Sequence, residues 1–294
     1  MARVGITRKQ GRVTRGASIG LGLAASISLV LWLLLPAAQL FGLETINLAL
    51  PSKSFQLVIY PLAQDLGYMR EEGIELKSVF IGPTPSVQAL VAGSVHFTAA
   101  GTSALIAITR AGAPLKVVLA ANDRVHQWLV SRPDIATPKG LKGGRIATTG
   151  AGSVATFMLK QILAKHGLEP ARDVVYIDTG TGNQLPALLA KTVDAAVLGN
   201  EQLYAGVDAG MKEMFYFGNE VKNSWGTLAT TDRLIKEQPK LVTSFMKASL
   251  KALRRLRQDR VTSVAAIIKF TGLERNSAAR MYDDLIATFT SNGT

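Results

Sequence analysis

From Glu44 onward, short runs of β-branched and apolar residues alternate with longer stretches in which apolar residues recur every three or four positions. TINLAL (45–50) predicts a strand, 58–72 a helix closed by Gly73, and IELKSVFI (74–81) a second strand. After Pro83 and Pro85, Ser86 suits the N-cap of a helix whose Val87, Leu90 and Val91 fall at helical spacing. VHFTAAG then reads as a short buried strand, Thr102 and Ser103 open an apolar helix, and LKVVLAA (115–121) is again a strand. Strands alternating with helices predict an α/β architecture with parallel sheets covered on both faces.

The pattern pauses at SRPDIATPKGLKGG, which is poor in apolar periodicity and carries two prolines, so it reads as a crossing between domains. RIATTG starts a second series. Gly152, Ser153 and Thr156 open a helix ending at His166 and Gly167, and DVVYIDT, LPALLAKT, VDAAVLG and EQLYAGVDAG follow as strand, helix, strand and helix. The stretch ALVAGSVHFTAAGTSALIAITRAG (89–112) recurs as ALLAKTVDAAVLGNEQLYAGVDAG (187–210), without gaps at an offset of 98 residues. Within it Asp194 takes the place of His96. Lys191 takes the place of Gly93, which implies a turn there that needs no special backbone angle. The fold class expected is therefore α/β, with two similar βα lobes and a cleft between them: lobe one from 44–132 plus 230–294, lobe two from 137–225. Helices at 239–260, 261–270 and 277–289 return to pack on lobe one.

The first forty residues stand apart: a basic start, the charge-free ASIGLGLAASISLVLWLLL (17–35), then Pro36, Ala37 and Ala38. This order is that of a cleaved export signal, the reading preferred, and at 1.5 Å per residue the apolar run makes a helix of about 28 Å, so a retained membrane anchor is also physically allowed. Both place the body in the periplasm or on the extracytoplasmic face of the inner membrane. Of the formal charge of +12, Arg3, Arg8, Lys9, Arg12 and Arg15 contribute +5, leaving +7 on the rest. The densest remaining basic group, from Lys247 to Arg257, has no interleaved aromatics, so it reads as a solvated helix face and no nucleic-acid partner is expected. With no cysteine, the body has neither disulfides nor thiolate metal sites.

LGYMREEGIEL, ALVAGSVHFTAAG, KGLKGGRIATTGAGS, GLEPARDVVYI and ALLAKTVDAAVLG, in that order, resemble phrases of the extracytoplasmic substrate-binding proteins of ABC importers, in the nitrate, sulfonate, taurine and thiamine-precursor group. The resemblance implies a fold like that of type II periplasmic binding proteins. It also implies capture of a small organic solute (a sulfonate, nitrate, taurine or a pyrimidine-type thiamine precursor) and partnership with an ABC permease and its ATPase. The family usually has Asp where His96 stands. Enzymes of thiamine-precursor or menaquinone-type biosynthesis on related scaffolds, and a membrane-anchored sensor, are the alternatives; the chain is expected not to be an enzyme and to need no cofactor.

In such a cleft the ligand meets the loops that follow strands. Lobe one then offers Ser52, Lys53, Ser54 and Phe55, with Thr102, Ser103 and Asn122. Lobe two offers Gly152, Ser153, Val154, Asn200 and Glu201, and Trp225 lies near the return crossing. The hydroxyls at helix starts suit either an anion or simple capping, Lys53 a counter-charge, and Glu201 an amine or the positive helix end. His96, His126 and His166 are too dispersed for a metal site, and neither G-x-S-x-G nor HExxH occurs.

Overall fold

A computed structural model describes residues 42–150 and 153–293. The expected signal or anchor segment (1–40) and Gly152 lie outside the described residues. No described helix is long and apolar enough to cross a membrane.

Chain order runs β1 (Glu44–Leu50), α1 (Ile59–Asp65), α2 (Tyr68–Glu71), β2 (Ile74–Phe80), α3 (Pro83–Val91), β3 (Phe97–Thr98), α4 (Gly101–Ala111) and β4 (Leu115–Asn122). The second series is β5 (Gln127–Ser131), β6 (Arg145–Thr148), α5 (Val154–Lys165), β7 (Val175–Asp178), α6 (Gln184–Leu189), β8 (Ala195–Gly199), α7 (Asn200–Asp208) and β9 (Lys212–Tyr216). After α8 (Phe217–Glu220) come β10 (Trp225–Thr231), α9 (Asp232–Glu237), α10 (Pro239–Gln258), α11 (Arg260–Thr271) and α12 (Arg275–Leu285).

Two five-stranded sheets result, ordered β2-β1-β3-β10-β4 and β7-β6-β8-β5-β9. The orders are equivalent strand for strand, which is the architecture expected from the repeat. The sheets are mixed, however, not parallel. β10 runs antiparallel to β3 and β4, and β5 antiparallel to β8 and β9. Each is the strand that enters from the other lobe and so arrives in the opposite direction. The crossings therefore lie at residues 123–126 and 221–224, and SRPDIATPKGLKGG is a connection inside lobe two. The expected boundary at 132 is displaced by one strand, and β10, which spans the gap between the expected ends at 225 and 230, belongs to sheet one.

Three local differences have equally local causes. The helix expected over 58–72 is broken by Gly67 at φ +79°, between α1 and α2. Helix α3 begins at Pro83, so Ser86 is no cap; its buried hydroxyl donates to Pro83 O and accepts from Thr98 Oγ1. Lys191 sits at φ +56° where Gly93 sits at +76°, so the turn demands the left-handed region in both copies, at a strain of about 1–2 kcal/mol for the lysine.

One apolar core spans both lobes. It joins Leu48, Phe55, Tyr60 and Phe245 to Trp128, Leu198 and Leu203, while a second cluster around Leu129, Ile146 and Leu159 fills the far side of lobe two. Helix α10 packs on α1 and α2 as expected. Helix α12 also reaches lobe two: Arg280 pairs with Asp208 at 2.8 Å, and Tyr204 Oη donates to Asp284 at 2.9 Å.

Candidate functional site

The repeat places one device at the same point in each lobe. His96 N donates to Asn47 O, and Asn47 N donates back to His96 Nδ1 at 2.9 Å. Ninety-eight residues later Asp194 N donates to Arg145 O, and Arg145 N donates to Asp194 Oδ2 at 2.7 Å. The side chain before β3 or β8 thus clamps β1 or its equivalent β6 by accepting a backbone N–H. His96 does with a ring nitrogen what Asp194 does with a carboxylate, which fixes its tautomer with the hydrogen on Nε2. Burial keeps its pKa below the usual imidazole value, opposed by the charge of Glu44.

Beyond each clamp a glycine stands where strand passes to helix: Gly101 is the first residue of α4, and Gly199 the last of β8. A Cβ on Gly101 would lie 2.6 Å from Thr227 Oγ1 and 2.8 Å from the Thr227 carbonyl carbon. A Cβ on Gly199 would lie 2.7 Å from both carboxylate oxygens of Glu201. Both glycines therefore serve a close approach, the first to backbone and the second to a side chain. Helices α4 and α7 point these ends into a cleft of about 730 Å³ between the lobes.

Of the residues proposed from the sequence, lobe one brings Ser52, Ser54, Thr102 and Ser103 to the cleft wall, lobe two brings Ser153, Val154 and Glu201, and the return crossing brings Trp225. Ser153 also caps α5, accepting from Thr156 N at 3.1 Å. Thr102 and Ser103 cap nothing.

Four candidates lie elsewhere. Lys53 is exposed, with Nζ 5.5 Å from the ring centre of Phe80. Phe55 is buried with its ring against Phe289 at 4.8 Å. Asn122 is buried behind the wall, its Nδ2 3.4 Å from Thr288 Oγ1. Asn200 is a cross-lobe tie: its Nδ2 donates to Gln56 Oε1 at 3.0 Å and its Oδ1 accepts from Phe55 N. All four stand at or just after a strand end, but Phe55, Asn122 and Asn200 face the packed interior and Lys53 faces solvent.

The wall also contains Gln56, Arg110, His126, Gln127, Asp178 and Gln184, which strand-end reasoning missed. Polar His126 and Gln127 just ahead of WLVS were the available signal, and placing the crossing after Val130 hid it.

The electrostatics centre on Glu201 and His126. Glu201 Oε2 is sealed from water and has no hydrogen-bond partner. Burial raises the pKa of this carboxyl, opposed by its own backbone N–H and by the Ser54 hydroxyl. His126 is 1% exposed, and burial pushes its pKa down to about 3. Its Nε2 lies 2.7 Å from Thr288 Oγ1, whose only hydrogen goes to Leu285 O. The ring hydrogen is therefore on Nε2, and Nδ1 is an unpaired acceptor. Among the described residues no group of three or more His, Asp or Glu is placed to hold a metal ion.

The family model described as NMT1/THI5 like matches residues 54–260. No curated protein matches in sequence. Among solved structures, the alkanesulfonate-binding protein SsuA from Xanthomonas axonopodis pv. citri, bound to MOPS, superposes with a TM-score of 0.69 at 22% identity, covering 81% of this chain and 83% of that one. The periplasmic aliphatic sulphonate binding protein SsuA from Escherichia coli gives 0.65 at 16%, covering 84% and 80%. The periplasmic nitrate-binding protein NrtA from Synechocystis gives 0.66 at 14%, covering 79% and 68%. At these identities the likeness is one of fold, that of the periplasmic binding proteins.

Proposed function

Because the chain belongs to the NMT1/THI5 like family, we propose that it is the solute-binding component of an ABC importer, which captures a small organic molecule between its lobes and delivers it to a membrane permease driven by an ATPase. The observation that carries this reading is the paired device. Two equivalent strand ends, each with a glycine and a helix start, face one cleft of about 730 Å³, a size suited to a small ligand.

Capture rather than turnover also fits the titratable groups. His126 in the wall stays neutral far below physiological pH and is no base poised near 7. An extracytoplasmic location follows from this role and from the order of parts in the first forty residues.

Purified full-length protein is expected to gain thermal stability with a solute of the sulfonate, nitrate, taurine or aminopyrimidine classes, by RT ln(1 + [L]/Kd). The same solute should be found by native mass spectrometry of gently purified protein. A flat melting temperature across all four classes, with no co-purified solute, would sink the reading.

A further inference from the structure

Sealed, unpaired polar atoms occur among the residues of the cleft wall. Glu201 Oε2, His126 Nδ1, Gln127 Oε1 and Trp225 Nε1 are all buried without a hydrogen-bond partner, and all four residues line the cleft. Leaving such atoms unmatched destabilises a fold, so four of them on residues that line one cleft point to a partner from outside the chain. Three are acceptors. Glu201 offers a carboxylate oxygen, Gln127 an amide oxygen, and His126 a ring lone pair, since its hydrogen is committed to Thr288. Only Trp225 Nε1 donates.

They also sit where lobe movement reaches them. His126 is the last residue of the first crossing, Gln127 opens β5 opposite Gly199, and Trp225 opens β10 directly after the second crossing. Parting the lobes about these crossings uncovers the atoms to an incoming solute.

Resting on the importer reading above, we infer that the solute carries N–H or O–H donors on the side that meets Glu201, His126 and Gln127, and is an amino-bearing molecule, neutral or cationic at that end, rather than a simple oxyanion. A nitrate or an alkanesulfonate presents only acceptors. It would leave three acceptors unmatched and bring negative charge to Glu201. An amino group supplies the missing hydrogens, and a cationic one supplies the counter-charge that the Glu201 carboxyl lacks in its buried setting.

The test uses two pairs of probes that differ by one amino group: ethanesulfonate with 2-aminoethanesulfonate, and pyrimidine with 4-aminopyrimidine. Binding to the full-length protein is measured by calorimetry and thermal shift. In at least one pair the amino member is expected to bind about tenfold tighter or more. That advantage should fall in Glu201→Gln and shrink in Gln127→Met. The wild-type comparison stands even where a variant folds poorly. If the amino member binds no tighter in either pair while some probe does bind, this inference fails and solute capture stands. If no probe binds, both fail.

Discussion

The two lobes are the same construction with different fillings. Both hold β1 or its equivalent β6 by a side chain that precedes β3 or β8, both turn through the left-handed region before it, and both place a glycine where that strand gives way to a helix. Lobe one fills these positions with His96, Gly93 and the Gly101-Thr102-Ser103 end; lobe two fills them with Asp194, Lys191 and Gly199-Asn200-Glu201. Residues that serve the fold therefore differ in chemistry but not in role. Those facing the cleft differ in both, and under the importer reading proposed above that second difference is where recognition would reside.

Adding one methyl group at each glycine should divide the copies most sharply. Gly101→Ala meets backbone and Cβ of Thr227, neither of which yields easily, and should cost about 2–3 kcal/mol in denaturant unfolding. Gly199→Ala meets only the mobile end of Glu201 and should cost under about 1 kcal/mol, with the larger change in ligand affinity. Equal losses of stability would erase the distinction between a structural and a recognition glycine.

Removing the clamps should come next. Asp194→Ala leaves Arg145 N–H without its acceptor and takes from Arg132 one of its two carboxylate partners, at an expected cost of about 1–3 kcal/mol. His96→Ala should cost about as much, and His96→Asp much less, if the two residues share one role.

The clamps also differ in pH response. The pKa of His96 is lower in the folded chain than the value near 6.5 of an unfolded one, because burial penalises the imidazolium more than Glu44 favours it. Its contribution is therefore complete above pH ~6.5 and is lost as pH falls below it. His126 adds a loss of the same sign that continues down to about pH 3. Comparing unfolding of wild type and His96→Asp at pH 7 and pH 5 isolates the first contribution. The variant should lose less stability, and identical slopes would exclude His96 as the source.

The smallest effect is expected at Lys191. Lys191→Gly relieves the left-handed strain but frees the unfolded chain, for a net gain of about 0.5–1 kcal/mol. The mirror change, Gly93→Ala, should lose about as much.

Much of this was legible beforehand because period and punctuation are local properties. Alternating runs gave the elements in their right order, and the 98-residue echo gave two equivalent sheets. Sheet membership is not local. Nothing in WLVS or in WGTLATT says which lobe its hydrogen bonds will reach, so the first was placed in lobe one and most of the second in neither lobe. The site divides along the same line. Thr102, Ser103, Ser153 and Glu201 were found because a strand end followed by a helix start announces itself, while His126 and Gln127 enter the wall only through the exchange of β5. The angle at Lys191 was missed because residue type alone argued against it, and tertiary pairing imposes it.

The exchanged strands also set a schedule for folding. Sheet two draws on a continuous stretch from Gln127 to Tyr216, whereas in sheet one Thr98 must wait for Ala229. On a chain emerging from the ribosome, every strand of the second lobe is present before the first lobe receives β10, the strand that links β3 to β4. The lobe that comes first in sequence is thus the last to be completed, and until then its open strand edges are the part of the nascent protein most in need of protection.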